Sequence, residues 1–349
     1  MHTLHNTGRI PLAVLAAAAL VAGVSGCAQG TQEAPAASDS SGAESITVNY
    51  SAPVPGALPF LPVDIALEQG FFEEEGIELV TTQTAAQALP AALSSGQLDM
   101  TADTAYNVAR YLESGVEMRF VSGLNDNVDF TLLAANGVDI PAPGNGEDGW
   151  KDSFAAMEGF TIGTAAKAGP IGLSVAKLLE EAGVPAGSYT LIDTPGAASG
   201  NALAAGQVQA VVSGGGFDAP LVANGLATPV LSFGKDIPNI FGDQVNAALS
   251  MTEPFIKANP EAPAKVQRAI TKAIAYIQDP ANADAVVAAA VAAGTPETDS
   301  LSDKISSYVY ESALSKSGLK AAFAWAKDAG ISSKVIDSDG AIAPGVETR

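Results

Sequence analysis

Ala92-Leu93-Ser94-Ser95-Gly96-Gln97-Leu98 returns further along the chain as Ala202-Leu203-Ala204-Ala205-Gly206-Gln207-Val208, at a constant offset of 110 residues. The same offset pairs Gly115-Val116 with Gly225-Leu226. Each copy reads as the end of a helix, a glycine suited to a left-handed cap, and the start of a buried strand. A match of that length at one offset indicates two lobes of similar topology.

The segments around each copy follow one grammar. Ile46–Tyr50 reads as a strand, and Phe60, Val63, Leu67 and Phe71 recur at helical spacing, with Pro62 tolerated in the first turn. Gly70 and Gly76 break the chain before a second strand, Ile77–Val80. Gln87–Ser95 is a predicted helix, Asp99–Ala102 a strand, Thr104–Glu113 a helix and Met118–Ser122 a strand. In the second half, Phe160–Gly163 is a strand, and a helix from Pro170 ends at Gly183. Tyr189–Ile192, a helix to Ala205 and Gln209–Val212 follow. Strands alternating with helices at this spacing predict parallel βα units. Asp139–Asp152, rich in proline and glycine, reads as a loop. After Ala248 the chain turns largely helical, with stripes Val266-Ile270-Ala273-Ile277, Val287–Val291 and Leu319-Ala322-Phe323-Ala326.

The amino-terminal segment sets the expected compartment. Arg9 precedes an apolar run from Ile10 to Val24, and Val24-Ser25-Gly26-Cys27 closes it. Small residues before a cysteine resemble the lipobox at which bacterial lipoproteins are cut and lipidated. The run is shorter than the ~20 apolar residues a spanning helix needs, and Pro11, Gly23 and Gly26 weaken it as one. Residues 1–27 are therefore expected to be a signal segment ending at a lipidated Cys27. Residues 28–44, almost without large apolar side chains, are an expected flexible tether. The protein should sit on the extracytoplasmic face of the cell membrane, held by lipid alone.

Composition excludes much chemistry. His2 and His5, the two histidines, lie in the segment expected to be removed, and Cys27 is the only cysteine. A Ser-His-Asp or Cys-His nucleophile and a His-containing zinc site are excluded on that reading, and neither metal nor cofactor is expected. The net charge of −21 repels nucleic acid, and no basic stripe with interleaved aromatics stands out.

Several stretches resemble the substrate-binding proteins of ABC importers for nitrate, alkanesulfonates, taurine and thiamine-type pyrimidines. The first is Ala66-Leu67-Glu68-Gln69-Gly70-Phe71-Phe72-Glu73-Glu74-Glu75-Gly76-Ile77-Glu78-Leu79. Ala92 to Asp99, Met157 to Gly163, Leu178 to Val184 and Ala202 to Val211 follow in the family's order. The resemblance implies a type II periplasmic-binding fold of class α/β: two lobes, a central ligand cleft and two hinge crossings. Lobe I would be residues 45–132 plus 246–349, and lobe II residues 133–245. It implies a monomeric, non-enzymatic protein that takes a small organic solute or oxyanion to a permease and its ATPase. An enzyme on this fold, of the kind that acts in cytosolic pyrimidine or menaquinone synthesis, is disfavoured by the lipobox and the missing histidine. A sensing lipoprotein remains an alternative.

Open parallel sheets bind ligands beyond the carboxyl ends of their strands, where helix N-termini offer free N–H groups. That rule selects four segments. Ser51 to Phe60 follows the first strand and includes Pro59; Asp103, Thr104 and Tyr106 follow the third. Thr164 to Pro170, with Ala165, Lys167 and Gly169, opens the first helix of lobe II, and Ser213 to Asp218 contains Gly215 and Phe217. Each has a plainer reading: the glycines as a tight turn, Asp103 and Asp218 as helix caps, the aromatics as core, Lys167 as a solvated cation. Carboxylates at two helix starts disfavour a bound anion there, so an amine or pyrimidine-like solute rivals the family's anion.

Overall fold

The computed structural model describes residues 45–349; the expectations for Cys27, the signal segment and the tether lie outside the described residues. Among the described residues ten strands form two five-stranded sheets. The first holds β1 (Ile46–Ser51), β2 (Ile77–Thr81), β3 (Met100–Thr104), β4 (Met118–Asn125) and, from the far end of the chain, β10 (Ala247–Thr252). The second holds β5 (Thr131–Ala135), β6 (Thr161–Thr164), β7 (Thr190–Asp193), β8 (Ala210–Ser213) and β9 (Ala227–Ser232). Their orders, β2-β1-β3-β10-β4 and β7-β6-β8-β5-β9, are the same order written twice.

In each sheet the fourth place belongs to a strand that has crossed from the other lobe. β5 runs antiparallel to β8 and β9, and β10 runs antiparallel to β3 and β4. The sheets are thus mixed rather than wholly parallel. The crossing strands, along with β9, carry no periodicity that marked them in the sequence, because each is short and apolar on both faces or interrupted by Pro229. Residues 131 and 132, placed with lobe I from the sequence, belong to β5 of the second sheet.

The internal repeat is a repeat of structure. Gly96 and Gly206 both adopt positive φ, 73° and 65°. Gln97 N donates to Ala92 O, and Gln207 N donates to Ala202 O, each at 2.9 Å. Gly115 and Gly225 end their helices in the same way, with Val116 N on Tyr111 O and Leu226 N on Leu221 O. Left-handed closure is the only exit that satisfies the last carbonyls in so few residues, which is why glycine stands at all four places.

Other boundaries differ from the sequence reading. The helical stripe Phe60-Val63-Leu67-Phe71 is interrupted: one helix is Leu61–Glu68, and Phe71–Glu74 is a separate turn after Gly70 at φ 74°. The expected loop 139–152 ends in a helix, Trp150–Ala155, whose first residue is buried edge-on against Phe154. β10 extends strand structure to Thr252, past the point where helix was expected.

Two large apolar clusters hold the body together. One lies on the first sheet, with Val48, Phe72, Met100 and Leu249 against Val266 and Ile270 of the helix Ala262–Gln278. The other runs through both lobes. Its aromatic rings pass from Trp150 to Phe154, Phe233, Phe241 and Trp325, with neighbouring centroids 5.1–6.2 Å apart. The helix Lys316–Asp328 therefore touches lobe II through Trp325, whose Nε1 donates to Ser174 Oγ at 2.9 Å, and lobe I through Phe323 on Phe120. Among the described residues no helix is long and apolar enough to cross a membrane.

Candidate functional site at the junction of the two sheets

An antiparallel strand joins a parallel sheet from the opposite end, so the residues just before β5 and β10 lie at the carboxyl edges of their new neighbours. Thr131 stands opposite Ser213 and Ser232, and Ala247 opposite Thr104 and Asn125. Asp129 and Asn246 reach the interlobe edge in this way. Asn246 Nδ2 donates to Asp129 Oδ1 at 3.3 Å. Asp129 Oδ2 accepts from the N–H of Gly215 at 2.5 Å and from the Tyr308 hydroxyl. Neither hinge residue stood out in the sequence, since the strands that aim them were not read.

The loop after β1 meets the glycine turn of lobe II directly. Leu58 N donates to Gly215 O at 3.1 Å, joining the lobes backbone to backbone. A Cβ on Gly216 would lie 3.1 Å from Leu58 and 3.2 Å from Thr295, so glycine permits this approach. Thr295 Oγ1 in turn donates to Gly56 O at 2.6 Å. Lys304 Nζ, from the helix Leu301–Ser306, pairs with Asp218 Oδ2 at 2.8 Å. Tyr308 and Tyr310 stack with centroids 5.5 Å apart, and the Tyr310 hydroxyl donates to Leu58 O at 2.9 Å. The carboxyl-terminal segment thus supplies Thr295, Lys304, Tyr308 and Tyr310 to the junction. The alternate tyrosines of Tyr308-Val309-Tyr310, in a chain only 6% aromatic, were the available signal.

Burial dominates the electrostatics. It pushes the Asp129 carboxyl up, against the Tyr308 and Gly215 bonds and the Lys304 charge that favour its ionised form. Burial also raises the phenols of Tyr308, Tyr310 and Tyr50 well above their ordinary value, with Asp129 or Asp64 adding to the shift. Asp64 itself is pushed up to about 6 by burial and by Glu68.

The expected site residues divide into two groups. Gly215, Phe217 and Asp218 stand at the junction. Asp218 is buried and paired with Lys304; it forms no side-chain cap. Phe217 is half-buried and packs on the lobe I core. The others are engaged within their surroundings. Asp103 accepts from Thr104 N at 2.7 Å, Asn107 Nδ2 at 2.8 Å and the Tyr111 hydroxyl at 2.7 Å, and burial raises it to about 6. The helix cap is Thr104, whose Oγ1 accepts from Asn107 N. Tyr106 is buried in the apolar cluster with its hydroxyl on Gln244 Oε1. Ser51 Oγ accepts from Thr84 N at 3.2 Å, and Pro59 and Phe60 are buried in lobe I. Thr164 is fully buried with its Oγ1 unpartnered, Ala165 is exposed, and Gly169 precedes the helix Pro170–Glu181.

Three buried oxygens near these strand ends have no hydrogen-bond partner: Asp218 Oδ1, Asn246 Oδ1 and Thr164 Oγ1. No group of three or more His, Cys, Asp or Glu side chains that could hold a metal occurs among the described residues.

A model of the NMT1-like family matches residues 54–292. No curated protein matches by sequence. The periplasmic aliphatic sulphonate-binding protein of Escherichia coli superposes with a TM-score of 0.69 at 13% identity, over 87% of this chain and 98% of that one. The alkanesulfonate-binding protein of Xanthomonas axonopodis pv. citri, bound to MOPS, gives 0.65 at 14% identity, over 88% and 99%. The periplasmic nitrate-binding protein of Synechocystis PCC 6803 gives 0.57 at 17% identity, over 70% and 66%. These neighbours are binding proteins rather than enzymes, and with them the chain shares the two-lobed periplasmic-binding fold.

Proposed function

The chain belongs to the NMT1-like family, and from that premise we propose that it is the solute-binding protein of an ABC importer. It captures a small organic solute between the lobes and presents the closed form to a permease coupled to its ATPase. The observation that carries this reading is the convergence of both sheets' carboxyl edges on one polar junction. Asp129 and Asn246 reach it from the two crossings, Gly215 and Asp218 from lobe II, and Lys304 and Tyr308 from the tail. Thr164, Gly215, Phe217 and Asp218 are the residues assigned to ligand contact from the sequence-derived set. A hinge made of two short crossings allows the lobes to open and close about it.

The protein acts as a monomer on the extracytoplasmic face, held by lipid on Cys27 through the 28–44 tether. Replacing Cys27 with Ala and fractionating cells tests the anchor: the variant is expected in the soluble fraction, and unchanged membrane retention contradicts it. Solute capture is tested by melting and small-angle scattering against sulfonates, nitrate, pyrimidines, amines and aromatic acids. A true solute at a hundredfold excess over its Kd stabilises the fold by about 2.7 kcal/mol and reduces the radius. No response to any class would sink the reading.

A further inference from the structure

At the junction every donor group already holds an acceptor. Gly215 N, Asn246 Nδ2 and the Tyr308 hydroxyl all donate to Asp129. The Tyr310 hydroxyl donates to Leu58 O, Leu58 N to Gly215 O, and Lys304 Nζ to Asp218. The capacity left over lies on the acceptor side: Asp218 Oδ1 and Asn246 Oδ1 are buried and unpartnered, and neither can donate from that atom. The Asn246 amide cannot be turned to change this. Its N–H₂ end faces a carboxylate, where its oxygen would be repelled. Buried oxygens are as a rule satisfied in a folded protein, and these two, one on the residue bonded to Asp129 and one on the carboxylate whose charge acts on Asp129, call for a donor.

Charge points the same way. Asp129 and Asp218 face each other's fields across the junction, with Lys304 shared between them. From lobe I, the Asp64 charge acts on Tyr310 as well. An oxyanion would enter a site with excess carboxylate, where each donor group is already turned to an acceptor of the protein.

We propose that the cleft takes a small organic cation, a solute presenting ammonium or guanidinium N–H groups, which donates to Asp218 Oδ1 and Asn246 Oδ1 and balances the charge of Asp129. This assignment rests on the solute-binding reading above and names the class of its solute. Lys304 keeps Asp218 Oδ2, so the solute takes the free Oδ1 beside a positive charge that opposes it.

The test uses the full chain, with agmatine and butylammonium as cationic probes, ethanesulfonate and nitrate as anionic probes, and uracil as a neutral one, followed by calorimetry and melting. The cations are expected to bind and to raise the melting temperature, and the anions to leave it unchanged. Asp218→Asn should weaken a cation at least tenfold. Lys304→Met, which keeps the apolar stem, should tighten a cation several-fold by removing the opposing charge. Anion binding that is lost in Lys304→Met, or binding by uracil alone, overturns the cationic assignment and leaves the solute-binding reading standing. Silence from both cations overturns the cationic assignment, and the solute-binding reading falls only if the wider panel is silent as well.

Discussion

At Gly56 the chain passes so close to Gly294 that a Cβ would sit 2.4 Å from the Gly294 carbonyl carbon, and its φ is 72°. Both constraints act on a Gly56→Ala variant. The left-handed backbone costs about 1–2 kcal/mol for an L-residue, and the clash is with backbone that cannot swing aside. Denaturant unfolding should show a loss above about 2 kcal/mol, larger than for Gly294→Ala, where the nearest atom is 3.8 Å away. Asp103 makes a different prediction. Its folded pKa of about 6 lies above the ordinary aspartate value of 3.8, so the fold binds the proton more tightly than the unfolded chain does. Its contribution is therefore most favourable below pH 4 and declines as pH rises to 6, by up to about 3 kcal/mol at 1.36 kcal/mol per unit. Asp103→Asn keeps an acceptor for Thr104 and Asn107, and Tyr111 can reverse its hydroxyl to accept. The difference in stability between variant and parent should grow in the variant's favour from pH 4 to 6 and then stay level. A difference that does not change with pH would show that Asp103 keeps its ordinary pKa.

Among elements, the helix Lys316–Asp328 has the most unusual position, because its two aromatic residues face different lobes. Trp325→Phe retains the contact with Phe241 and removes the donor to Ser174, at an expected cost of about 1 kcal/mol. The repeated helix ends give a paired test. Leu93 and Leu203 occupy equivalent buried places, so Leu93→Ala and Leu203→Ala should each cost about 2–5 kcal/mol. A large inequality would mean that one lobe relaxes around its cavity far more than the other. Much of this level was legible. The predicted strands and helices around Ala92–Leu98 and Ala202–Val208 all form within a few residues, since each combines apolar period with a glycine stop. β5, β9 and β10 were not legible: their neighbours in the sheet come from distant sequence, and no local pattern records a strand that is completed from the other lobe.

At the scale of the molecule the question is what holds the lobes together at the junction. Leu58 with Gly215, Lys304 with Asp218, and Tyr308 with Asp129 connect them on the cleft side, while the aromatic cluster joins them elsewhere. Gly216→Ala should act selectively on the cleft side. The added methyl meets Leu58 and Thr295 at a backbone φ of 89°, so the lobes should part and the radius of gyration measured by scattering should rise. An unchanged radius would mean that Leu58 and Thr295 yield without opening the lobes.

The repeated βα units, the glycine caps at equivalent places and the expectation of two lobes with a cleft can be read from residue order alone, because these depend on near-neighbour pattern. The same reading brought Gly215, Phe217 and Asp218 to the junction of the lobes, since loops that follow parallel strands must emerge at one edge. Tertiary structure decided the remainder. Asp129 and Asn246 face the cleft only because β5 and β10 enter their sheets against the run of the parallel strands. Lys304, Tyr308 and Tyr310 join them from a tail segment far away in sequence. Asp103 and Tyr106, equally plausible by position, are instead satisfied by Asn107, Tyr111 and Gln244. Which polar groups keep free capacity depends on all their neighbours at once, and no local stretch of sequence contains those neighbours.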